Sequence, residues 1–424
     1  MRMIPLSIIS SIVLAVLAIG CAGSGDAADP PVASGQTAGL AAQEIDCPTV
    51  ETREANAPDQ RPAFPGQTRA CAVDSEVAFE VDVLARGLVH PWAVEPLPGG
   101  DLLITERPGR LRIVTAAGDI GAPISGLPPV HAEGQGGLLD VALSPTFTSD
   151  STIYWSYAEP RDVGNGTSVA RGVLSDDRGS VGQVEVIFRA MPTYTNSMHY
   201  GSRLAFGPDG MLYITTGERS DTPMRVHAQR LDNHLGKVLR IRPDGSVPED
   251  NPFTGQGDAQ PEVWTLGHRN IQASTFDPEG RLWTVEHGPK GGDEVNLIQA
   301  GKNYGWPLVS YGEEYSGEPI PDAVTQREGF EQPVYYWDPV IAPSGAQWYT
   351  GEAFPDWRGD LFIGGMVANA LVRLEMEDGR VVGEEHLLTD RGQRVRDVRQ
   401  GPDGALYIVT DEDNGELWRV APSS

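Results

Sequence analysis

Beyond about residue 80, apolar positions in this chain alternate with polar ones or form short unbroken runs, and sustained helical periodicity is absent. Each run follows a tight polar turn. The phrase reads PLPGGDLLITERPGRLRIV from Pro96, LSPTFTSDSTIYWSYA from Leu143 and FGPDGMLYITTGE from Phe206. It returns as FDPEGRLWTVEHG from Phe276, FPDWRGDLFIGGMVANALVRL from Phe354 and GPDGALYIVTDEDNGELWRV from Gly401. Pro-Asp-Gly and its relatives favour a tight turn, and the apolar run after each is a strand. Six copies over residues 80–421 give roughly 57 residues apiece, room for four short strands and their loops. The pattern predicts an all-β chain, a six-bladed β-propeller of four-stranded antiparallel blades, because radial repetition leaves only short, protected sheet edges. A large sandwich or a β-helix is the competing architecture. Spacing between copies is unequal, which puts the longest loops in blades three to five, where function usually sits.

The first 79 residues read differently. One arginine, an apolar run and then Gly20-Cys21 make residues 1–20 a secretory signal, too short for a membrane span. Cysteine directly after Ala18-Ile19-Gly20 resembles a bacterial lipoprotein box, so Cys21 is either lipidated or left as a free thiol after ordinary secretion. Residues 21–45 are rich in Ala, Gly, Ser, Asp and Thr and form a flexible tether, since they bury too little apolar area to offset ordering. Residues 46–79 form an N-terminal extension ahead of the propeller at 80–421. Its Cys47 and Cys71 are an even pair in an exported chain, read as a disulfide or as two buried thiols. The compartment is then the periplasm or the outer membrane. Charge narrows the partners further. The chain has 32 Lys and Arg against 59 Asp and Glu, a formal net charge of −27. Such a surface repels phosphate backbones and anionic lipid, so nucleic acid is excluded and membrane contact runs only through a lipid anchor.

Candidate chemistry lies in the loops. WTVEHGPKGGDEVNL starts as a strand and breaks into glycines and a proline, followed by a carboxylate pair. Backbone carbonyls of Gly288 and Pro289 suit a hard cation such as calcium, and Glu294 with Tyr304 of KNYGWP serve a second ion; a plain glycine turn is the bland reading. His199 in NSMHYGSRLAFGPDG is a general base or an ordinary structural histidine. Arg269 and Asn270 in GHRNIQ make a clamp for carboxylate or carbonyl oxygens, or brace a loop. In RVRDV, Arg394 and Arg396 stand two apart and share a strand face. They hold an anion between them or lie solvated on an edge. Gln135 sits among glycines where a backbone can approach a ligand closely. DEDNG at Asp411 looks metal-like but falls where a hairpin needs a polar turn, and is read as a turn.

In their order, GQGGLLDVALSP, HYGSRLAFGPDG, GHRN, EHGPKGGDEVN, NYGWP, APSG and RVRDV resemble the soluble pyrroloquinoline quinone (PQQ)-dependent glucose and aldose sugar dehydrogenases, the aldose branch above all. The resemblance spans residues from about 80 to 421 and implies a six-bladed propeller, in agreement with the repeats. It implies that His199 is the base, that Gln135, Arg269, Asn270, Arg394 and Arg396 hold the quinone, and that Gly288 and Pro289 bind the calcium on it. Glu294 and Tyr304 then match a further calcium site. Arg269 would also steady charge developing in the reaction. Three departures stand out. Met366 and Val367, in GGMVANAL, occupy the segment where the glucose branch places a cofactor-contacting lysine. Met198 replaces an aspartate, and His287 replaces a glutamine of that branch. The implied reaction is oxidation of aldose sugars at the anomeric carbon to lactones, with electrons passing on to an unidentified acceptor, in a monomer or homodimer. A calcium-dependent lactonase-type hydrolase and a non-enzymatic sugar-binding propeller at the cell surface are the rival readings, since propellers host many functions.

Overall fold

A computed structural model of the chain describes residues 47–423. Within them six sheets follow one another along the sequence. Blade 1 holds Pro91–Pro96, Leu102–Glu106 and Arg110–Val114. Blade 2 holds Leu138–Leu143, Thr152–Pro160, Asn165–Leu174 and Val181–Arg189. Blade 3 is Leu204–Phe206, Leu212–Thr215, Lys237–Ile241 and Val263–Leu266. Blade 4 is Ile271–Phe276, Leu282–Glu286, Asp293–Ile298 and Tyr335–Trp337. Blade 5 runs Pro343–Trp348, Leu361–Gly365, Ala370–Glu377 and Arg380–Leu387. Blade 6 takes Val395–Gln400, Leu406–Thr410 and Gly415–Pro422 from the end of the chain and Phe79–Leu88 from before blade 1. The protein is a six-bladed β-propeller, closed by the antiparallel pairing of Phe79–Leu88 with Gly415–Pro422. Closure of this kind removes the open edge that a row of blades would leave.

The recurring turn phrase has one structural place. In every blade it links the first, innermost strand to the second, as at Leu97–Asp101, Gly207–Met211 and Gly401–Ala405. Two blades depart from four antiparallel strands. Blade 1 has three, extended only by a bridge between Val114 and Ile120. Blade 5 gains a fifth, Cys71–Ala72, which runs parallel to Arg380–Leu387. Cys47 and Cys71 are joined by a disulfide across 24 residues. The leader, the tether and Cys21 lie outside the described residues.

Neighbouring blades pack face to face through apolar clusters, with Trp92, Trp155, Trp283, Trp357 and Trp418 fully buried among them. Truncating such a residue to Ala typically costs about 3–5 kcal/mol. The innermost strands are also tied by carboxylates. Asp140 of blade 2 accepts the Leu204 N–H at 2.8 Å, and Asp397 of blade 6 accepts that of Val94 at 3.0 Å. Their other oxygens meet Arg203 at 3.0 and 3.1 Å. A Cβ on Gly345 would sit 1.7 Å from the Asp397 carboxylate, so only glycine admits this approach. Among the described residues no helix is long and apolar enough to cross a membrane.

Candidate functional site

Loops at one end of the innermost strands enclose a cavity of about 470 Å³. This is an ordinary size for a small-molecule site. Gln135, Asn270, Met366, Arg394 and Arg396 all line it. Strand geometry explains the arginine pair: Val395 turns into the apolar core while Arg394 and Arg396, on either side of it, face the cavity. Their partners are weak. Arg394 reaches the Met366 carbonyl and sulfur at 3.5 Å each, and Arg396 the Met366 sulfur at 3.1 Å and Gln272 Oε1 at 3.3 Å. Among the described residues the buried Nε of Arg396 has no partner. Burial pushes the Arg396 guanidinium down to about 9; Asp411 opposes this, while Arg203 and Arg107 push the same way. A buried cation left this way needs an anion. The cavity therefore fits a polycarboxylate such as PQQ.

His199 does not itself line this cavity; it precedes the lining residue Tyr200, buried and at a positive φ of 46°. Its backbone N–H donates to Gln135 Oε1 at 2.8 Å, and its Nδ1 lies 2.7 Å from Glu218 Oε2. Because Glu218 is the acceptor, Nδ1 carries the proton and Nε2 is left with a lone pair. Burial holds the imidazole below its usual value, with Arg269 and Arg219 acting the same way and Glu218 opposing them. Burial alone would raise Glu218, but His199 and Arg269 outweigh it and keep the carboxylate ionised. Such pairing, a base oriented by a buried carboxylate, is suited to taking a proton from a hydroxyl.

A second, much smaller void of about 10 Å³ adjoins the first, with room for roughly one atom-sized guest. Gly288, Pro289, Glu294 and Tyr304 all line it, and so does Arg269. In sequence those first four residues divide between two ions; the structure gathers them around one space. Burial and the neighbouring Glu286 push the Glu294 carboxyl well above its ordinary range. Its only side-chain donor among the described residues is the Asn296 amide at 3.2 Å. An all-oxygen set around crowded carboxylates fits a hard cation. Tyr304 offers only its backbone carbonyl, because its phenol already donates to Leu297 O and accepts from Gln299 N. The Gly288 carbonyl is engaged as well, accepting from Arg269 Nη1 at 2.6 Å. Among the described residues no three His, Cys, Asp or Glu side chains cluster as metal ligands, so carbonyl oxygens must complete any ion site.

Val367 stands apart. It is 49% exposed and does not line the cavity, which that segment meets through Met366. His287 lines both spaces; its Nε2 donates to Pro343 O at 2.6 Å, and burial holds it neutral, down to about 3.

Over residues 88–419 the chain matches the family described as glucose/sorbosone dehydrogenase. It belongs to that family. As a member it is an oxidoreductase. It is 46% identical over 346 residues to the aldose sugar dehydrogenase YliI of Escherichia coli, covering 81% of this chain and 92% of that one. A crystal structure of a glucose dehydrogenase superposes with a TM-score of 0.79 at 48% identity, over 81% of this chain and 100% of the other. The PQQ-bound aldose sugar dehydrogenase of Streptomyces coelicolor superposes with a TM-score of 0.66 at 30% identity, over 81% and 99%.

Several residues of this candidate site escape a reading of the sequence. Glu218 follows the second strand of blade 3 in TTGERS, where a carboxylate after a buried strand is the only signal. Asp411 does sit in the blade 6 hairpin turn, but it also faces the cavity and lies 2.9 Å from His90 Nδ1. His90 lines the cavity too. Tyr315 is 70% exposed, yet its phenol oxygen accepts from Arg269 Nη2 at 3.4 Å.

Proposed function

We propose that this protein oxidises aldose sugars at the anomeric carbon to lactones, with PQQ and calcium as cofactors and His199 as the base. The observation that carries the reading is an under-partnered arginine pair, Arg396 buried and Arg394 partly exposed, beside a histidine whose free nitrogen is set by Glu218. Gln135, Asn270, Met366, Arg394 and Arg396 would hold the quinone. Gly288, Pro289, Glu294 and Tyr304 would hold calcium, with Arg269 between the two. Bound PQQ supplies a two-electron acceptor, and calcium supplies positive charge beside it. The chain's own work is positioning and proton transfer. His199 Nε2 removes the anomeric hydroxyl proton as C1 gives up its hydride, and Glu218 steadies the imidazolium that results. Arg269 offers fixed positive charge at the junction of the two spaces. With Met366 and no lysine in its lining, the cavity offers Arg107, Arg394 and Arg396 as cations for the quinone carboxylates.

Export as a lipoprotein acylated on Cys21, to the periplasm or outer membrane, belongs to the same reading, as do an unidentified electron acceptor and a monomeric or homodimeric state. A dye-reduction assay of purified apo-protein tests it, with and without PQQ and calcium, over a panel of aldoses. Activity that needs both cofactors is expected. Lactone hydrolysis without quinone would replace it with a hydrolase, and sugar binding without turnover with a binding protein.

A further inference from the structure

Residues 47–78 precede the span matched by the family, yet they are woven into the far side of the candidate calcium loop. Asp338, just after blade 4, accepts the backbone N–H of Asn56 and Ala57, each at 3.0 Å, and the Asn56 amide at 2.9 Å. Arg69 Nη2 donates to the Asp338 carbonyl at 2.9 Å. The same Asp338 carboxylate packs on Gly291, where an added Cβ would lie 2.7 Å from Oδ1. Gln60 Nε2 donates to Gly312 O at 3.1 Å, and Gly312 packs on Pro289 and the Gly291 carbonyl. Gln67 is fully buried; its amide oxygen accepts from Ala63 N and the Tyr311 hydroxyl, and its nitrogen donates to Pro333 O at 2.8 Å. The loop itself is pinned to the same partners. Lys290 and Glu313 exchange both backbone hydrogen bonds, and Gly292 N–H donates to Trp337 O.

The extension thus meets the loop from behind, through Asp338, Gly312 and Tyr311, and none of its residues lines the cavity. Its own anchors are the Cys47–Cys71 disulfide and the parallel strand on blade 5. The loop it backs is rich in glycine, so its backbone has little intrinsic stiffness. Carbonyl ligands hold an ion well only when such a backbone is fixed by its surroundings.

We propose that residues 47–78 are a clamp that fixes the Gly288–Gly292 loop in its ion-binding shape, with Asp338 as the positioning residue through which the clamp acts. The ion-binding part rests on the function proposed above; the clamp itself does not.

The test is hydrogen exchange of the apo-protein, full chain, for wild type, Asp338→Asn, the paired Cys47→Ser and Cys71→Ser variant, and Gln60→Ala. Expected is at least about tenfold faster exchange in residues 287–293 and 310–316 for the first two variants, with blades 1 and 6 unchanged. Gln60→Ala, a mild change that leaves folding intact, accelerates 310–316 a few-fold. In the quinone-loaded enzyme, half-saturating calcium for Asp338→Asn rises several-fold while kcat at saturating calcium holds. Unchanged exchange in 287–293, or faster exchange spread evenly over all blades, overturns the proposal. Wild-type protein inactive with quinone and calcium would refute the function instead, and the exchange result would still decide the clamp.

Discussion

Two groups of arginines lie at the centre of the propeller and differ in one respect. In the lower group, Arg203 bonds Asp140 and Asp397, and Arg399 bonds Asp397 at 3.0 Å with Asp140 and Glu95 close by. In the upper group, Arg394 and Arg396 face the cavity and rest on a thioether and weak acceptors. The two groups meet at Trp92, whose ring lies 4.1 Å from the Arg203 guanidinium and 4.6 Å from that of Arg396. Burial alone would lower Arg399, but Asp397, Asp140 and Glu95 outweigh it and push it up. Burial lowers Arg396, and the opposing carboxylates of Asp411 and Asp397 do not restore it. One set of charges is closed within the chain and belongs to folding. The other is left open, and that marks a site for an anion from outside.

The contrast can be broken in order of effect. His199 adjoins the cavity that the open group lines, and general-base catalysis contributes typically 10²–10⁴-fold. His199→Ala should lower kcat by about that factor with quinone affinity nearly intact, measured in the dye assay and by quinone titration. His131 and His234 lie away from the cavity lining and are the controls, whereas His90 is not. Arg203→Ala comes next. It takes the nearest cation from buried Asp140 and leaves Asp397 to Arg399 alone, a loss of about 3–5 kcal/mol that denaturant unfolding would register. The cavity pair should behave in the opposite sense: Arg396→Ala weakens quinone binding about ten- to a hundredfold, as losing a charge-assisted bond of about 1.5–3 kcal/mol requires. Arg394, whose side chain is 41% exposed, should lose less in the same titration. The smallest effect is on pH. His199 is held below its ordinary value near 6.5, so the protonated, inactive form appears only in more acid solution. The acid limb of kcat/KM should lie below that value. Glu218 raises the imidazole, so Glu218→Gln should move the limb further to acid, and a limb moved towards neutral pH would contradict the assignment.

The fold was legible because six turn phrases repeat at the same point in each blade, between first and second strands. The arginine pair was legible because alternation on a strand fixes which side chains share a face. What stayed hidden has a common cause: it depends on contacts between distant segments. Nothing near Glu218 announces a histidine 19 residues away, and Asp411 reads as a turn until closure of blade 6 brings it to His90. The extension shows its two cysteines in sequence, but not that Asn56 and Gln60 reach a loop more than 250 positions on.

The central claim is that the cavity arginines await an anion while Arg203 and Arg399 are satisfied. Thermal unfolding of Arg396→Ala beside wild type, each with and without PQQ, tests it most directly. The account predicts that the apo forms unfold at nearly the same temperature, and that PQQ raises the midpoint of wild type far more than that of the variant. A large fall in the apo midpoint of Arg396→Ala, with an undiminished response to PQQ, would contradict it.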